Sequence, residues 1–160
     1  MQIRSGRTMT PPSLDVLDTS IIEILRTDGR ATNQDIAKKL SVTAATVSAR
    51  LQKMEEARAM RVVAVTDFAA LGYNVIIALG VKVRGRSVRE VGRELALFPE
   101  VLSVNIMNGA NDLELLVALH EFSEIQQFLY DHIAAVEGVS HIDAGIAADI
   151  VKFEFNVAPL

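Results

Sequence analysis

The amino-acid sequence predicts an α+β fold, in which an N-terminal winged helix–turn–helix is joined to a C-terminal ferredoxin-like βαββαβ domain. Three short amphipathic runs separated by turn residues fill residues 14–57, and from Asn74 onward strands and helices follow in the order β-α-β-β-α-β. Charge divides in the same way, with a net +3 over residues 1–62 and a net −7 over residues 63–160. We therefore expect a helical domain at 14–62, a connector at 63–73 and a mixed domain at 74–160.

Composition narrows the class of protein. The 160 residues are half apolar, which is enough for one domain or two small ones. The sequence has no cysteine, so disulfide scaffolds and thiolate metal sites are excluded, and a reducing cytoplasm is the expected location. No run approaches the roughly 18 apolar residues of a membrane span, and residues 1–13 lack the apolar core of a secretory signal. We expect no membrane partner.

The first two helices are predicted from apolar spacing and capping residues. Leucines and isoleucines recur at helical spacing from Asp15 to Arg26, and Asp28-Gly29 ends that helix. Thr32 stands three residues before Asp35, which resembles a capping box and predicts a second helix over 33–40. The connection to the next helix is only about three residues long, so the two helices must lie close together.

The third helix, predicted over 44–57 with Thr43 as its cap, has two distinct faces. Its buried face is defined by apolar residues at spacings of three, seven and ten, namely Ala44, Val47, Leu51 and Met54. At 100° per residue the small and polar residues point outward, namely Ala45, Thr46, Ala49, Gln52 and Lys53, while Arg50 lies on the flank. This is the plan of a recognition helix in a helix–turn–helix.

The remaining segments predict the second domain. Residues 60–66 indicate a short strand or wing, and Gly72 breaks the connector that follows. Strands are predicted at 75–83, 101–107 and 113–119, and the alternation within 150–157 predicts the last one. Amphipathic helices are predicted at 87–98 and 121–136. The apolar strand 75–83 is expected to be an edge that another subunit covers, which favours dimers.

These motifs, in this order, resemble the Lrp/AsnC, or feast/famine, family of prokaryotic transcription regulators over residues 14–157. The matches are Leu14-Asp15-x-x-Asp18-x-x-Ile21, Asp28-Gly29-Arg30, Thr43-x-x-x-Val47-x-x-Arg50, Gly109-x-x-Asp112-Leu113 and Gly138-Val139. The resemblance implies a winged helix–turn–helix and a RAM- or ACT-like domain that senses a small molecule. It also implies homodimers that assemble into tetramers or octamers.

The sequence also departs from the family pattern. Arg58 stands where the family usually has glycine, and Met60 where it often has an aliphatic residue. Ala144 replaces a favoured serine or threonine, and Asn111 replaces a residue that is frequently aromatic or acidic. We therefore expect a different helix end or wing and a different choice of effector.

Double-stranded DNA is the expected partner of the helical domain. Thr43 and the first N–H groups of its helix can bind phosphate. The side chain of Gln52 suits adenine, and Thr46 can touch a base edge or a thymine methyl group. Arg50 has an alternative role, pairing with an acidic residue of the protein itself, and residues 1–13 are either a basic arm on the DNA backbone or a tail left from cloning. The predicted DNA-binding residues are Thr43, Ala45, Thr46, Ala49, Arg50, Gln52, Lys53, Lys38 and Lys39.

The loop 108–112 has turn composition, and on its residues alone it fits either a plain hairpin turn or an anion site made by exposed N–H groups. The resemblance favours an amino-acid effector pocket at a subunit interface beside this loop, with Asp112 accepting from an α-ammonium group. His141 and Asp143 are the residues that a neighbouring dimer would contribute. The predicted effector-binding residues are Gly109, Ala110, Asn111, Asp112, His141 and Asp143.

Two other functions compete with that of a DNA-binding regulator. The three histidines form no evident cluster, and the sequence has no HExxH, phosphate loop or nucleophile elbow, so we expect no catalytic residues, no metal and no cofactor beyond the possible amino-acid effector. The alternatives are an enzyme like the siroheme decarboxylases, which share this fold, and an effector-independent protein that compacts the nucleoid. The main prediction is a nucleoid-associated regulator that is not an enzyme.

Overall fold

The computed structural model describes residues 13–154, and these residues divide into two compact units. Among the described residues, one unit spans 66–151, and the other contains 13–65 together with 152–154. The domain boundaries expected from the sequence, 14–62, 63–73 and 74–160, stay predictions. None of the helices in the described residues is long and apolar enough to cross a bilayer.

The helical unit contains α1 (Val16–Thr27), α2 (Asn33–Leu40) and α3 (Ala44–Glu56), within one residue of the predicted spans. Capping boxes begin the first two helices: Asp15 and Asp18 in α1, and Thr32 and Asp35 in α2, exchange side-chain and backbone hydrogen bonds. Each box satisfies N–H groups that a helix start otherwise leaves unpaired. The caps therefore place the helix starts where the sequence predicted them.

One small core holds the three helices together. Ile21, Ile36 and Val47, one from each helix, are completely buried, and Ala37 and Met54 extend the cluster. Ala44 and Leu51 pack against it, so the predicted inner face of α3 is confirmed. Burying a Val or Ile side chain contributes roughly 1.5–3 kcal/mol, which makes this cluster the main force that orients α3.

Left-handed backbone ends both α2 and α3. Ser41 has φ 56° in the turn between α2 and α3, and Arg58 has φ 54° just after α3. The N–H of Ala59 donates to the Met54 carbonyl at 2.8 Å, which closes the end of α3. Arg58 thus adopts the left-handed conformation that favours glycine, the residue that the family usually has at this position.

The strand predicted at 60–66 is wrong, and the alternative of a wing stays a prediction. Residues 60–67 form no strand, and Val62, Val63 and Val65 are exposed. Strand-favouring side chains do not make a strand unless another strand pairs with them. A 3₁₀ turn, Ala69–Leu71, follows, and Gly72 at φ 82° supplies the predicted break.

The second unit is a four-stranded antiparallel sheet in the order β2-β3-β1-β4. Its strands are β1 (Val75–Val83), β2 (Val101–Ile106), β3 (Leu113–Leu119) and β4 (Val139–Ile146). Its helices are α4 (Val88–Leu95) and α5 (Glu124–Gln127), the latter continued by a π-helical segment, Phe128–Ile133. The βαββαβ order and the first three strands are confirmed.

The last strand was predicted in the wrong place. It is β4, which pairs with β1 from Val83↔Val139 to Ile77↔Ile146, whereas 150–154 form no strand and 155–157 lie outside the described residues. The register of the ladder shifts between Lys82 and Val83. This irregularity and the polar residues of β4 hide its alternation, so the more regular pattern of 150–157 misplaced the prediction.

Strand β1 is central and not the apolar edge that we expected, because β3 and β4 flank it. Val75, Ile77, Leu79 and Val81 alternate along its helix-covered face and are buried in the core of this unit. On the opposite face Ile76 and Ala118 are buried at one end, and the rest is open, with Ala78 and Glu114 exposed in the described chain. The surface that another subunit would cover is therefore a face of the sheet and not an edge strand.

Candidate DNA-reading helix and effector loop

The outward face of α3 presents the side chains that the helical phase predicted. Ala45, Ala49, Gln52 and Lys53 are exposed, and Thr46 is half-buried. The Thr43 hydroxyl caps the helix by accepting from the Thr46 N–H at 3.1 Å, and the two hydroxyls lie 2.8 Å apart. Both threonines are thus held in place at the helix start.

The longer side chains on α3 differ in whether they already have partners within the protein. The Gln52 amide donates to the Glu56 carboxylate at 2.9 Å, one turn further along. Lys53 makes no ion pair with any other described residue. Gln52 must therefore exchange an internal hydrogen bond for a base contact, while the Lys53 ammonium is available to a phosphate.

Arg50 pairs with acidic residues of the protein itself, which is the alternative role that the sequence left open, and its contact with DNA stays a prediction. Its guanidinium pairs with Asp15 and, at 3.2 Å, with Asp18, whose side chain is only 8% exposed. The Asp18 N–H, and after it Arg50, hold the pKa of Asp15 below its ordinary value. The capping box of α1 and the middle of α3 thus form one charged network.

The end of α2 carries the other predicted cations. Lys38 and Lys39 lie exposed in its last turn, where positive charge is favourable to the helix dipole. The Thr32 hydroxyl and N–H lower the pKa of Asp35 at the opposite end of the helix, and the two lysines lower it further. Both ammonium groups are free of ion pairs within the described residues.

The loop before β3 is tied to β1 by Asp112. The Asp112 carboxylate accepts from the Val83 N–H at 2.8 Å, and its own N–H donates to the Val81 carbonyl at 3.0 Å. Asp112 therefore bonds across to the neighbouring strand, which differs from the self-capping of a plain turn, and its contact with an α-ammonium group stays a prediction. Gly109 and Ala110 lie exposed at the tip of the loop.

Gly80 is a site residue that sequence reasoning missed. A Cβ added to Gly80 would lie 2.0 Å from the Asn111 amide nitrogen, so the Asn111 side chain occupies the space that any larger residue would fill. Asp143 stands opposite Gly80 in the β1–β4 ladder. The structure thus brings Asn111 and Asp143 together around a glycine in the middle of the sheet.

Two cavities adjoin these residues. One, of about 440 Å³, lies on the open sheet face and includes Gly80, Asp143, Asn105 and Glu114 among its lining residues. His141 instead lines a separate cavity of about 340 Å³ with Tyr130. The predicted pair His141 and Asp143 is therefore divided between two cavities, and Asn105 and Glu114 were not predicted.

The other two histidines have packing roles. His120 stacks on Tyr73 with ring centroids 4.6 Å apart, and its Nδ1 lies 2.9 Å from the Gly72 carbonyl oxygen. His132 packs against the rings of Phe98 and Phe128. Within residues 13–154 no three His, Asp or Glu side chains are grouped as metal ligands.

Two family models match the chain. Residues 14–55 match the AsnC-type helix-turn-helix domain, and residues 76–157 match the Lrp/AsnC ligand binding domain. A curated relative, an uncharacterized HTH-type transcriptional regulator of Pyrococcus furiosus, is 33% identical over 89% of this chain and 97% of its own.

Solved structures share the fold. A transcriptional regulator of Neisseria meningitidis in complex with L-Met has a TM-score of 0.82 at 21% identity, covering 91% of this chain and 97% of that one. An AsnC family transcriptional regulator from Agrobacterium tumefaciens has a TM-score of 0.79 at 26% identity, covering 88% and 94%. Both curated and structural relatives bear the names of regulators and not of enzymes.

Proposed function

This chain belongs to the Lrp/AsnC family of transcriptional regulators, and we propose that it binds specific DNA sequences as a homodimer or larger assembly under the control of an amino acid. The observation that carries the proposal is the outward face of α3, where small residues surround a few polar ones. A protein with this activity works in the cytoplasm, in association with the nucleoid.

Recognition by α3 follows from the size and chemistry of its exposed residues. Ala45 and Ala49 are short enough to let the helix approach the floor of the major groove. Thr46 and Gln52 then reach base edges, while Lys53 and the start of the helix at Thr43 meet the backbone. Lys38 and Lys39 add backbone contacts from α2. These residues read few base pairs, so specificity requires two half-sites and two subunits.

The open face of the sheet is the surface that supports self-association. Its central positions are small, at Ala78, Gly80 and Gly145, and a cavity of about 440 Å³ lies over them. A second copy on this face would bury the sheet on both sides. Dimers joined in this way would assemble further into tetramers or octamers.

An amino-acid effector is supported by the family's ligand-binding domain and by the named L-Met complex of a structural neighbour. We place the site beside the loop at Gly109 and Ala110, with Asn111 and its glycine neighbour Gly80 shaping it. Asp112 orders the loop through β1. His141 and Asp143, both on β4, contribute side chains to the effector site, and each lines a different cavity. An effector that prefers one assembly state then changes DNA affinity by linkage.

Base reading is tested with Gln52→Ala and a panel of operator variants. The substitution should weaken binding to the preferred operator by about 1–3 kcal/mol and make its affinity less dependent on the base beneath Gln52. Lys38→Ala is the control, because removing a phosphate partner should weaken every operator about equally. If Gln52→Ala leaves the ranking and the affinities of all operators unchanged, Gln52 does not read bases.

Effector binding is tested by isothermal titration with each of the twenty amino acids, followed by light scattering and DNA titration with any that bind. We expect one amino acid or a few similar ones to release or absorb heat and to change both assembly and DNA affinity. Absence of heat and of any change in assembly with all twenty would reject an amino-acid effector, while leaving DNA recognition intact.

A further inference from the structure

The second unit concentrates its positive charge in one short segment. All five Lys and Arg residues of this unit, 66–151, fall within residues 82–93. Only Glu90 and Glu94 lie in or next to this segment, so it carries a net +3, while the rest of 66–151 has a net −10. A local patch, and not the overall charge, decides which partner a surface attracts.

Arg86 is the member of this segment that serves the fold. Its guanidinium donates to Glu94 at 2.6 and 3.1 Å and to the Glu137 carbonyl at 3.0 Å. The Glu94 carboxylate is occupied by this pair, and the hydrogen bonds from Arg86 lower its pKa. The remaining arginines of the segment are left with little acidic competition.

Arg84, Arg89 and Arg93 form what we call the α4 basic surface. All three are exposed, and within residues 13–154 none of them makes an ion pair. Arg89 and Arg93 stand one turn apart on α4, opposite the buried Val91 and Leu95, so their side chains lie side by side on the outer face. Glu90 is the remaining acid on that outer side.

We propose that the α4 basic surface binds the phosphate backbone of DNA that flanks the sequence read by α3. The inference rests on the proposed DNA binding. Guanidinium groups suit phosphate because their planar donors can engage two oxygens at once. The connector joins the two units in one chain, so DNA that α3 binds is present at a raised effective concentration for this surface, and even weak contacts add to the total affinity.

The test compares a short duplex, about 25 base pairs around a protected site, with one extended by about 30 base pairs on each side. The variants are Arg89→Gln, Arg93→Gln and their combination, since glutamine keeps the helix and removes the charge. Lys152→Gln is the control, because it removes one positive charge outside the unit that carries the α4 basic surface, and this charge is paired with Glu154 at 3.2 Å. Circular dichroism checks that each variant is folded.

The double variant should bind the short duplex within twofold of the unsubstituted protein. On the extended duplex its salt dependence should fall by about 0.9 for each phosphate that the variant no longer neutralises, so two phosphates correspond to roughly 12-fold between 50 and 200 mM salt, and the four met by a dimer to roughly 150-fold. Each single variant should show about half that change in slope, and Lys152→Gln should show none.

Two results would overturn the inference. Equal behaviour of the double variant and the unsubstituted protein on both duplexes would mean that the arginines are only solvated. A change in assembly by light scattering, with no change in the salt dependence on extended DNA, would mean that this surface joins copies of the chain. If the unsubstituted protein fails to bind even the short duplex, the proposed function itself fails.

Discussion

Replacing Lys53 or Arg50 by glutamine removes the same charge from α3 at positions three residues apart, yet the two substitutions should act differently on DNA binding. Lys53 is exposed and makes no ion pair with the described residues. Arg50 is engaged by Asp15 and Asp18. We expect Lys53→Gln to remove a phosphate partner and Arg50→Gln to weaken the helical unit instead.

The size of the Lys53 effect follows from counterion release. Each phosphate that a protein neutralises contributes about 0.9 to the slope of log affinity against log salt. Over the fourfold change from 50 to 200 mM salt, one neutralised phosphate corresponds to about 3.5-fold in affinity, and the two phosphates met by a dimer to about 12-fold. Because a dimer loses both of these phosphate contacts, Lys53→Gln should lower the slope by about 1.8.

Arg50→Gln should leave the slope unchanged, because its guanidinium is already neutralised by two carboxylates. The Arg50→Gln substitution should instead lower the midpoint of thermal unfolding, because the buried Asp18 carboxylate would lose its cationic partner. The assay is fluorescence anisotropy on one operator at four or more salt concentrations, together with thermal unfolding of each variant. A smaller slope for Arg50→Gln, or an unchanged slope for Lys53→Gln, would refute this division of roles.

Three further predictions concern the backbone, the effector loop and acid stability. Arg58→Gly should raise the free energy of unfolding by about 1 kcal/mol in urea titrations, because glycine adopts the left-handed φ of 54° without strain; no gain would mean that Arg58 has a compensating contact. Gly80→Ala should displace Asn111 and weaken effector binding measured by calorimetry, while changing the unfolding free energy by less than about 1 kcal/mol because the half-buried amide ends a flexible side chain that can move aside and alanine suits a strand better; unaltered effector affinity would remove Asn111 from the site. The Asp35 pKa is lowered by Thr32, so its contribution to stability is present above the ordinary value of 3.8 and is lost as the pH falls through the lower folded value; the stability difference between the unsubstituted protein and Asp35→Asn should therefore shrink below pH 3.8, and a constant difference would contradict this.

Local signals predicted most of the fold. The caps at Asp15, Thr32 and Thr43 mark helix starts because they act within three or four residues, which a sequence pattern can show. Strand β1 was also predictable, because its apolar run is continuous. Such features need no knowledge of what lies across the fold.

What could not be predicted depends on distant partners. The alternation of β4 is interrupted by a change of register opposite Lys82 and Val83, and only the pairing with β1 reveals the strand. The segment around Val63 has strand-favouring residues, but a strand forms only where another strand pairs with it, and these residues do not determine whether one does. Whether Arg50 faces DNA or α1 depends on where Asp18 lies, 32 positions earlier in the chain.

The same limit applies to the effector loop. Asn111 and Asp112 were identified from their position in a turn, but the need for a glycine at position 80 arises only when the loop folds over β1. Asp112 was expected to face a ligand, and the structure adds a role in the loop, because its carboxylate accepts from the Val83 N–H. A residue in a predicted pocket can serve the loop that builds the pocket.

Hydroxyl-radical footprinting on the DNA upstream of the protein's own gene, with and without the amino acid that binds most tightly, tests the central claim most directly. We predict separate protected segments, spaced by about one helical turn of 10 base pairs or a multiple of it, whose strength or extent changes when the amino acid is added. Uniform coating of the fragment that the amino acid does not alter, or no protection at all, would contradict a sequence-reading, effector-controlled regulator.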